Sequence, residues 1–268
     1  VIFANKCLDE NLLSFYDNNL GDMHSYIASK IFKHLENVPL KDIPKLYPSD
    51  RQKAKAVGFT LNYGGTHKTI SEKQNISLEE AEEAFNGYFK AFPQVGEYFD
   101  KSKREALRVG YIVINEITNR KYFIEFFQDY KALESKVRAD GFWEDRAREK
   151  ELNSEAYHKY YKPITTDYFK WRGEIERHAL NAPVQGTAAE ISKLAAYYIF
   201  KTLRDGGYLF IVLMSNMVHD EFLVECPKAM GEYVAKVVEN GMKKAGRVLG
   251  CVRVPLNASA KIVEWWDH

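Results

Sequence analysis

Met217-Val218-His219-Asp220-Glu221 lies between two apolar segments, residues 208–214 and 222–224. Apolar runs on both sides of a short polar segment predict two β-strands joined by a tight turn. On an extended strand Asp220 shares one face with Val218 and Phe222, and an unpaired carboxylate there costs on the order of several kcal/mol. We therefore expect Asp220 to have a partner, and a hard metal ion is the natural candidate. The alternative is an Asp whose hydrogen bonds are satisfied within a hairpin turn.

The composition, 46% hydrophobic and 28% charged residues, is that of a soluble globular protein. A length of 268 residues is enough for one large domain or two. The net charge is only +1, so any contact with nucleic acid must come from local basic patches. Three cysteines without metal-type spacing indicate a reducing compartment. No apolar run approaches the roughly 20 residues that span a bilayer, and no signal peptide is present, so no membrane partner is expected.

Periodicity and caps predict a mainly helical chain with a few strands. Helices are expected at residues 9–36, with a turn near residues 18–21 before residues 24–34. Further helices are expected at residues 51–63, 77–89, 93–109, 173–180, 187–203 and 228–249, with an interruption at Pro183. Strands are expected at residues 111–117 and 121–127, on both sides of the His-Asp-Glu turn, and at residues 252–262. Residues 128–170 are rich in charges and aromatics and show weak periodicity.

Arg51, Lys55, Phe59 and Tyr63 recur at intervals of four and so form one stripe on a helix. The two cations lie in the first turns, where the helix dipole adds to their charge, and they suit a polyphosphate. The two rings offer flat surfaces to a base. From the spacing alone, two solvated cations and two core aromatics are the more common explanation.

Arg177, Asn181 and Gln185 have the same spacing and precede Gly186-Thr187-Ala188-Ala189, whose small residues permit close approach of a second backbone. Amide and guanidinium donors match the acceptors that every base pair presents in the minor groove, so such a row can bind a duplex without sequence preference. The alternative is a helix junction at Pro183 in which the Asn caps the following segment.

These three motifs occur in the order found in family A DNA polymerases, the bacterial DNA polymerase I group and its phage relatives, and the chain resembles that family. Gly21-Asp22-Met23-His24 also resembles a segment that lies upstream of the family's fingers helix. The resemblance covers nearly the whole chain except residues 128–170, which are longer than the usual connection and are typical of phage enzymes.

The resemblance implies an α+β, right-hand polymerase fold, with mostly helical fingers inserted into a palm built on an antiparallel sheet. It assigns residues 1–20 to part of the palm, residues 21–176 to the fingers, with an elaborated segment at 128–170, and residues 177–268 to the C-terminal palm. The thumb and the first palm strand are expected to lie outside this sequence.

The resemblance also implies roles for individual residues. Asp220 would bind two catalytic Mg²⁺ ions, and Glu221 is a weaker second ligand because strand alternation points it away from Asp220. The triphosphate would be held by His24, Arg51 and Lys55, and Lys55 would also donate a proton to the pyrophosphate. Phe59 would pack on the incoming nucleotide and Tyr63 would lie at the template side. The candidate DNA-binding residues are Arg177, Asn181, Gln185 and His219.

The implied activity is template-directed DNA synthesis by two-metal phosphoryl transfer, with primer-template DNA and dNTP as partners, in bacterial or phage-infected host cytoplasm. A second metal-binding Asp is expected in an upstream Asp-Tyr-Ser-x-x-Glu strand. Another portion of the polymerase, or a separate subunit, would supply this strand and the thumb. An exonuclease is a further candidate component of that portion. Two alternatives remain open, a noncatalytic nucleic-acid-binding or replisome scaffold subunit and a single-subunit RNA polymerase.

Overall fold

A computed structural model describes residues 1–265, except for the side chain of Asn62. The chain divides into two compact units. The first unit comprises Val1–Gly21, Ile114–Arg120 and the chain from Pro183 onward, and the second comprises Asp22–Val113 and Lys121–Ala182. Assigning the first unit to a palm and the second to fingers stays a prediction.

The described residues form mostly helices and two small antiparallel sheets. The helices are α1 (Ile2–Cys7), α2 (Glu10–Asp17), α3 (Met23–Ile31), α4 (Ile43–Leu46), α5 (Pro48–Asn62), α6 (His67–Gln74), α7 (Leu78–Ala91), α8 (Pro93–Val109), α9 (Phe127–Val137), α10 (Phe142–Glu151), α11 (Lys162–Asp205) and α12 (Gly231–Val248). Strand β1 (Tyr111–Asn115) pairs with β2 (Arg120–Phe123), and β3 (Leu213–Val218) pairs with β4 (Glu221–Glu225). None of the described helices is both long enough and apolar enough to cross a membrane.

Several helix starts confirm the sequence predictions, and one corrects them. The Asp9 side chain accepts hydrogen bonds from the backbone N–H groups of Asn11 and Leu12, and Ser77 and Glu80 form a capping box at the start of α7. Helix α5, expected from Arg51, instead begins at Pro48. Proline is well suited to the first helical turn because its fixed φ is helical and it has no N–H to leave unpaired.

Helix α11 runs for 44 residues through Pro183, so the predicted interruption there is wrong. A proline inside a helix removes one backbone hydrogen bond and costs about 3 kcal/mol. Pro183 is buried, so packing of its ring offsets part of this cost. Residues 128–170 form most of α9, all of α10, a π-helical turn at Tyr157–Tyr161 and the start of α11.

The strand predicted at residues 252–262 is also wrong, because this segment consists of turns and irregular backbone. The Asn5 side chain explains part of the difference. Its amide donates to the carbonyl of Val254 at 2.8 Å, and its oxygen accepts from the N–H of Val254 at 3.0 Å. A side chain thus takes both backbone groups that a neighbouring strand would bind.

Each unit has a core of its own. In the second unit, residues of α8–α11 pack with Ile112 of β1 and with Ile124, which directly follows β2, around Tyr130, Phe142 and Ile175. In the first unit, buried residues of α11 and α12 pack with Val212, and Phe222 and Val224 of β4 contact this cluster. Met214 of β3, the partner of Val224, also packs against the cluster, so both strands anchor the hairpin.

Candidate active-site residues

In the second unit, α3 and α5 bring together candidate nucleotide-binding side chains that are far apart in sequence. The His24 and Phe59 ring centroids are 6.0 Å apart, and Lys55 Nζ lies 6.0 Å from the Phe59 ring centroid. Arg51 lies one helical turn before Lys55 on α5. The structure therefore places His24, Arg51, Lys55 and Phe59 in one region, as their predicted common role requires.

Arg51 is held in place by Asp22, a residue to which the sequence analysis assigned no role. Arg51 Nε donates to Asp22 Oδ2 at 2.6 Å, and Nη2 donates to Oδ1 at 3.1 Å. The guanidinium lowers the pKa of the Asp22 carboxyl well below its usual range, and the carboxylate in turn raises the pKa of Arg51. Both groups are therefore charged at neutral pH, and two parallel bonds fix the plane of the guanidinium.

Asp22 is also the N-cap of α3. Its carboxylate accepts from the backbone N–H groups of His24 at 3.3 Å and Ser25 at 3.2 Å. One side chain thus connects the start of α3 to the first turns of α5. Asp is a common N-cap residue shortly before the start of a helix. Its pairing with Arg51, 29 positions along the chain, has no local sequence signal.

His24 has a polar atom without a partner. Within residues 1–265, its Nδ1 is buried and forms no hydrogen bond. Burial lowers the pKa of His24, and the positive charges of Arg51 and Lys55 lower it further against the opposing effect of Asp22. The ring is therefore neutral at pH 7. A buried, unpaired ring nitrogen beside two cations fits a site that takes an anionic ligand.

Phe59 and Tyr63 are not core aromatics. Their exposed fractions are 50% and 53%, so the alternative explanation for this stripe does not hold. Tyr63 is the C-cap of α5, and Gly64 follows it with φ of +71°. A Cβ on Gly64 would lie 3.2 Å from Cγ of Arg177, so the end of α5 packs closely against α11 within the second unit.

The three candidate DNA-binding residues of α11 lie on one continuous helix, which excludes the helix-junction alternative. Arg177 and Gln185 are exposed, and Arg177 forms an ion pair with Glu174. The Asn181 amide donates to the Arg177 carbonyl at 3.0 Å. Exposed side chains spaced by about one turn can contact successive positions along a ligand.

The small residues after Gln185 permit the close approach that the sequence predicted. In the first unit, a Cβ on Gly186 would lie 2.5 Å from the Ile114 side chain. The Thr187 hydroxyl donates to the Ile114 carbonyl at 2.9 Å. The neighbouring backbone is therefore that of β1.

The β3–β4 hairpin confirms that two strands flank the turn, but β3 begins at Leu213, so most of the apolar run 208–214 lies outside it. The position of Asp220 also differs from the prediction. Val218 pairs with Glu221, so His219 and Asp220 form a two-residue turn. His219 has φ of +54°, as tight hairpin turns require at a central position. Asp220 lies outside both strands and is exposed, not on a buried apolar face. The expectation that burial would demand a partner is wrong, and Asp220 occupies a hairpin turn.

The turn nevertheless offers suitable metal ligands. Among residues 1–265, neither Asp220 nor Glu221 forms an ion pair, and both are exposed. Carboxylate oxygens with free lone pairs are the donors that Mg²⁺ prefers, so the donor chemistry fits the ion. Within the described part of the chain no three His, Cys, Asp or Glu residues are grouped to hold a metal.

Comparison with known proteins decides the family. The profile of DNA polymerase family A matches residues 1–268. The chain belongs to DNA polymerase family A. The resemblance stated from the motifs is therefore confirmed.

Curated relatives of this family A chain include bacterial DNA polymerases I. That of Caldicellulosiruptor bescii is 29% identical over 267 residues, which cover 99% of this chain and 25% of that protein. The thermostable DNA polymerase I of Thermus thermophilus is 29% identical over 265 residues, with coverages of 99% and 25%. The chain thus spans about a quarter of the length of these relatives.

A solved structure confirms the α+β polymerase fold of the family A chain. It is described as the POL domain of Pol1 from M. smegmatis in complex with DNA primer-template and dNTP. The TM-score is 0.68 at 24% sequence identity, and the match covers 96% of this chain and 36% of that chain. At this identity the similarity supports the fold alone.

Proposed function

We propose that this chain is part of a DNA-directed DNA polymerase and contributes the nucleotide-binding residues and a metal-binding carboxylate. The observation that carries the proposal is the grouping of His24, Arg51, Lys55 and Phe59 on α3 and α5. Membership of DNA polymerase family A supports it. In these terms the second unit acts as fingers and the first as part of a phage-type palm.

The charges of α5 suit the triphosphate of the incoming dNTP. Arg51 ends the first turn of α5, where the helix dipole adds to its charge, and Lys55 follows one turn later. Asp22 orients the Arg51 guanidinium, so less side-chain freedom is lost when a phosphate binds. His24 would complete the phosphate contacts.

The aromatic residues of the same helix suit the rest of the nucleotide. Phe59 is half exposed beside His24 and Lys55, so its ring is available to pack on the sugar and base. Tyr63 is exposed at the end of the helix and would lie at the template side of the new pair.

The reaction joins the primer 3′-oxygen to the α-phosphorus and breaks the bond to pyrophosphate. Arg51 and Lys55 would hold the phosphates in line with the primer and neutralise charge on the leaving group. Lys55 would donate a proton to the leaving pyrophosphate oxygen. Asp220, with Glu221 as a second candidate, would hold Mg²⁺. When bound, Mg²⁺ supplies charge neutralisation and favours ionisation of the primer hydroxyl.

Primer-template DNA is the proposed second partner. Arg177, Asn181 and Gln185 would bind the minor groove, and His219 would lie near the primer terminus. The described M. smegmatis structure contains primer-template and dNTP, which supports both ligands for the family fold. We also propose that a second metal-binding carboxylate comes from an upstream Asp-Tyr-Ser-x-x-Glu strand outside these residues. The proposed location of the polymerase is the bacterial or phage-infected host cytoplasm.

Primer extension by the full-length protein, assembled with any separate upstream portion, tests the metal assignment. We expect Asp220→Ala to reduce extension by roughly 10²-fold or more, because it removes a ligand of the ion that stabilises the transition state. Glu225→Ala is the matched control, since Glu225 is an exposed carboxylate on the same hairpin. Equal extension by wild type and Asp220→Ala contradicts the assignment. Tight primer-template binding without extension by any assembly indicates a scaffold instead.

A further inference from the structure

Residues 128–170 contain aromatic rings that the core of the second unit does not cover. Phe142 and Tyr168 are buried, whereas their chain neighbours Trp143 and Phe169 are 41% and 55% exposed. The two exposed rings come from different helices, α10 and α11, and their centroids are 6.2 Å apart with an interplanar angle of 43°. They form one exposed aromatic surface that folding of the core does not require.

A cation is built into this surface. The guanidinium carbon of Arg146 lies 5.7 Å from the ring centroids of both Trp143 and Tyr157. Its Nε donates to the Thr165 hydroxyl at 3.4 Å, and within residues 1–265 Arg146 forms no ion pair. The rings and the hydroxyl position the guanidinium, while its remaining donors are available to an anion.

Charges on α10 are sorted around the helix. Arg146 and Lys150 lie one and two turns after Trp143 and share its side of the helix. The carboxylates of the helix lie about 80° or more around it from Trp143. These acidic residues are Glu144, Asp145, Glu149 and Glu151. The side of α10 that carries the exposed ring is therefore positive.

The start of α11 shows the same arrangement. Lys162 and Thr166 share the side of Phe169, and Lys162 forms no ion pair within the described residues. Asp167, the one acidic residue between Lys162 and Phe169, lies roughly 160° around the helix. The Trp143 side of α10 and the Phe169 side of residues 162–169 of α11 thus each present an exposed ring with one or more cations and no carboxylate. Further along the Phe169 side of α11, Glu176 forms an ion pair with Arg172. Since the whole chain has a net charge of only +1, this patch is a local feature.

We propose that Trp143, Arg146, Lys150, Lys162 and Phe169 form an aromatic platform that binds single-stranded DNA. The proposal rests on the proposed polymerase function, which supplies an unpaired template strand as the ligand. Rings that stack on bases, combined with cations that contact phosphates, are the two components of sequence-tolerant single-strand binding. The absence of carboxylates on the Trp143 side of α10 and on the Phe169 side of residues 162–169 favours a polyanion over a protein surface of mixed charge.

Fluorescence anisotropy with a labelled oligo(dT) of about 15 nucleotides and the full-length protein tests the platform. We expect Trp143→Ala and Phe169→Ala each to raise Kd roughly 5- to 100-fold, because each removes one stacking surface. Lys162→Gln should raise Kd and reduce the slope of log K against log salt by about 0.7, the value for one phosphate contact on a single strand.

Matched controls separate the platform from general effects. Trp265→Ala removes an exposed tryptophan from the first unit, and Lys101→Gln removes an exposed lysine from α8. Both controls should bind oligo(dT) like wild type. Circular dichroism melting checks folding. If Trp143→Ala is unfolded, the Phe169→Ala and Lys162→Gln variants still test the platform. Both side chains are exposed, so we expect these variants to fold.

If folded Phe169→Ala and Lys162→Gln bind oligo(dT) as tightly as wild type, the proposal that this surface binds single-stranded DNA is wrong. The same result is expected if the surface instead binds a protein. Primer extension by Asp220→Ala in the same preparations keeps the two proposals distinct. If Asp220→Ala loses extension while the platform variants bind normally, the platform alone fails. If Asp220→Ala extends normally while the platform variants bind weakly, the platform stands and the metal assignment fails.

Discussion

The α3–α5 region of the second unit and the β3–β4 turn of the first both carry candidate catalytic groups, but they are held differently. Arg51 is fixed by two bonds to Asp22, which also caps α3. Asp220 is exposed in a two-residue turn and, among residues 1–265, has no ion-pair partner. In the first region a candidate ligand-binding side chain also takes part in contacts that stabilise the fold, whereas in the second the candidate carboxylate has no such contact.

The largest expected effect falls on the chemistry of the first region. Lys55→Ala should slow single-turnover incorporation at saturating dNTP by about 10²- to 10⁴-fold, the range for loss of a proton donor. Stability should change by less than about 0.5 kcal/mol, because Lys55 forms no ion pair among the described residues. Lys53→Ala, on the opposite side of α5, is the control. Similar losses in both variants would show that the charge of the helix, not Lys55, matters.

Substitutions of Asp22 test how much its contacts with Arg51 and with the start of α3 stabilise the fold. Asp22→Ala should lower the free energy of unfolding by about 2 kcal/mol, since it removes both a helix cap and a charged hydrogen-bond partner. Asp22→Asn keeps a capping side chain and should cost about 1 kcal/mol. Urea unfolding at pH 7 measures both. Equal stability of the two variants would mean that the cap contributes nothing.

The Asp22 effect should also depend on pH. Its pKa is lowered in the folded protein, chiefly by the Arg51 hydrogen bonds, so its stabilising contribution is fully present above the unfolded value of about 4. That contribution is lost as the pH falls toward the folded pKa. The stability difference between wild type and Asp22→Asn should therefore shrink below about pH 4. A difference that stays constant down to pH 2.5 would contradict this cause.

The smallest expected effect is on the stability of the hairpin. Asp220→Asn should change the free energy of unfolding by less than about 0.5 kcal/mol, because an exposed turn carboxylate without an ion pair contributes little. Thermal melting with and without Mg²⁺ measures it. A change of 2 kcal/mol or more without Mg²⁺ would show that the turn, like Arg51, is held by contacts within the chain.

Sequence patterns predicted the elements where local signals agree. The Asp9 cap, the Ser77–Glu80 capping box and the strands around Asp220 depend on residues close together in the chain, and all are confirmed. The four-residue spacing on α5 correctly grouped the exposed rings with the cations. Assignment of these residues to nucleotide binding stays a prediction.

The position of Asp220 and the start of α5 were errors of local structure. The other errors came from burial or from contacts distant in sequence. Pro183 was expected to interrupt a helix, but its buried position lets α11 continue. The strand at 252–262 does not form, in part because Asn5 binds Val254 from 249 positions away. The Asp22–Arg51 pair was missed for the same reason. Local propensity cannot encode partners that folding brings together.

The unpaired ring nitrogen of His24 has a thermodynamic consequence. The negative charge of a bound triphosphate would offset the positive charges of Arg51 and Lys55 and, with Asp22, favour protonation of the His24 ring. It would therefore raise the pKa of His24, which is lowered in the free protein. If nucleotide binds here as proposed, linkage requires uptake of a fraction of a proton, and affinity would strengthen as the pH falls between the two pKa values. Calorimetry in buffers of different ionisation enthalpy detects this uptake, and His24→Asn removes it. In the proposed site, His24 would thus couple nucleotide binding to proton uptake.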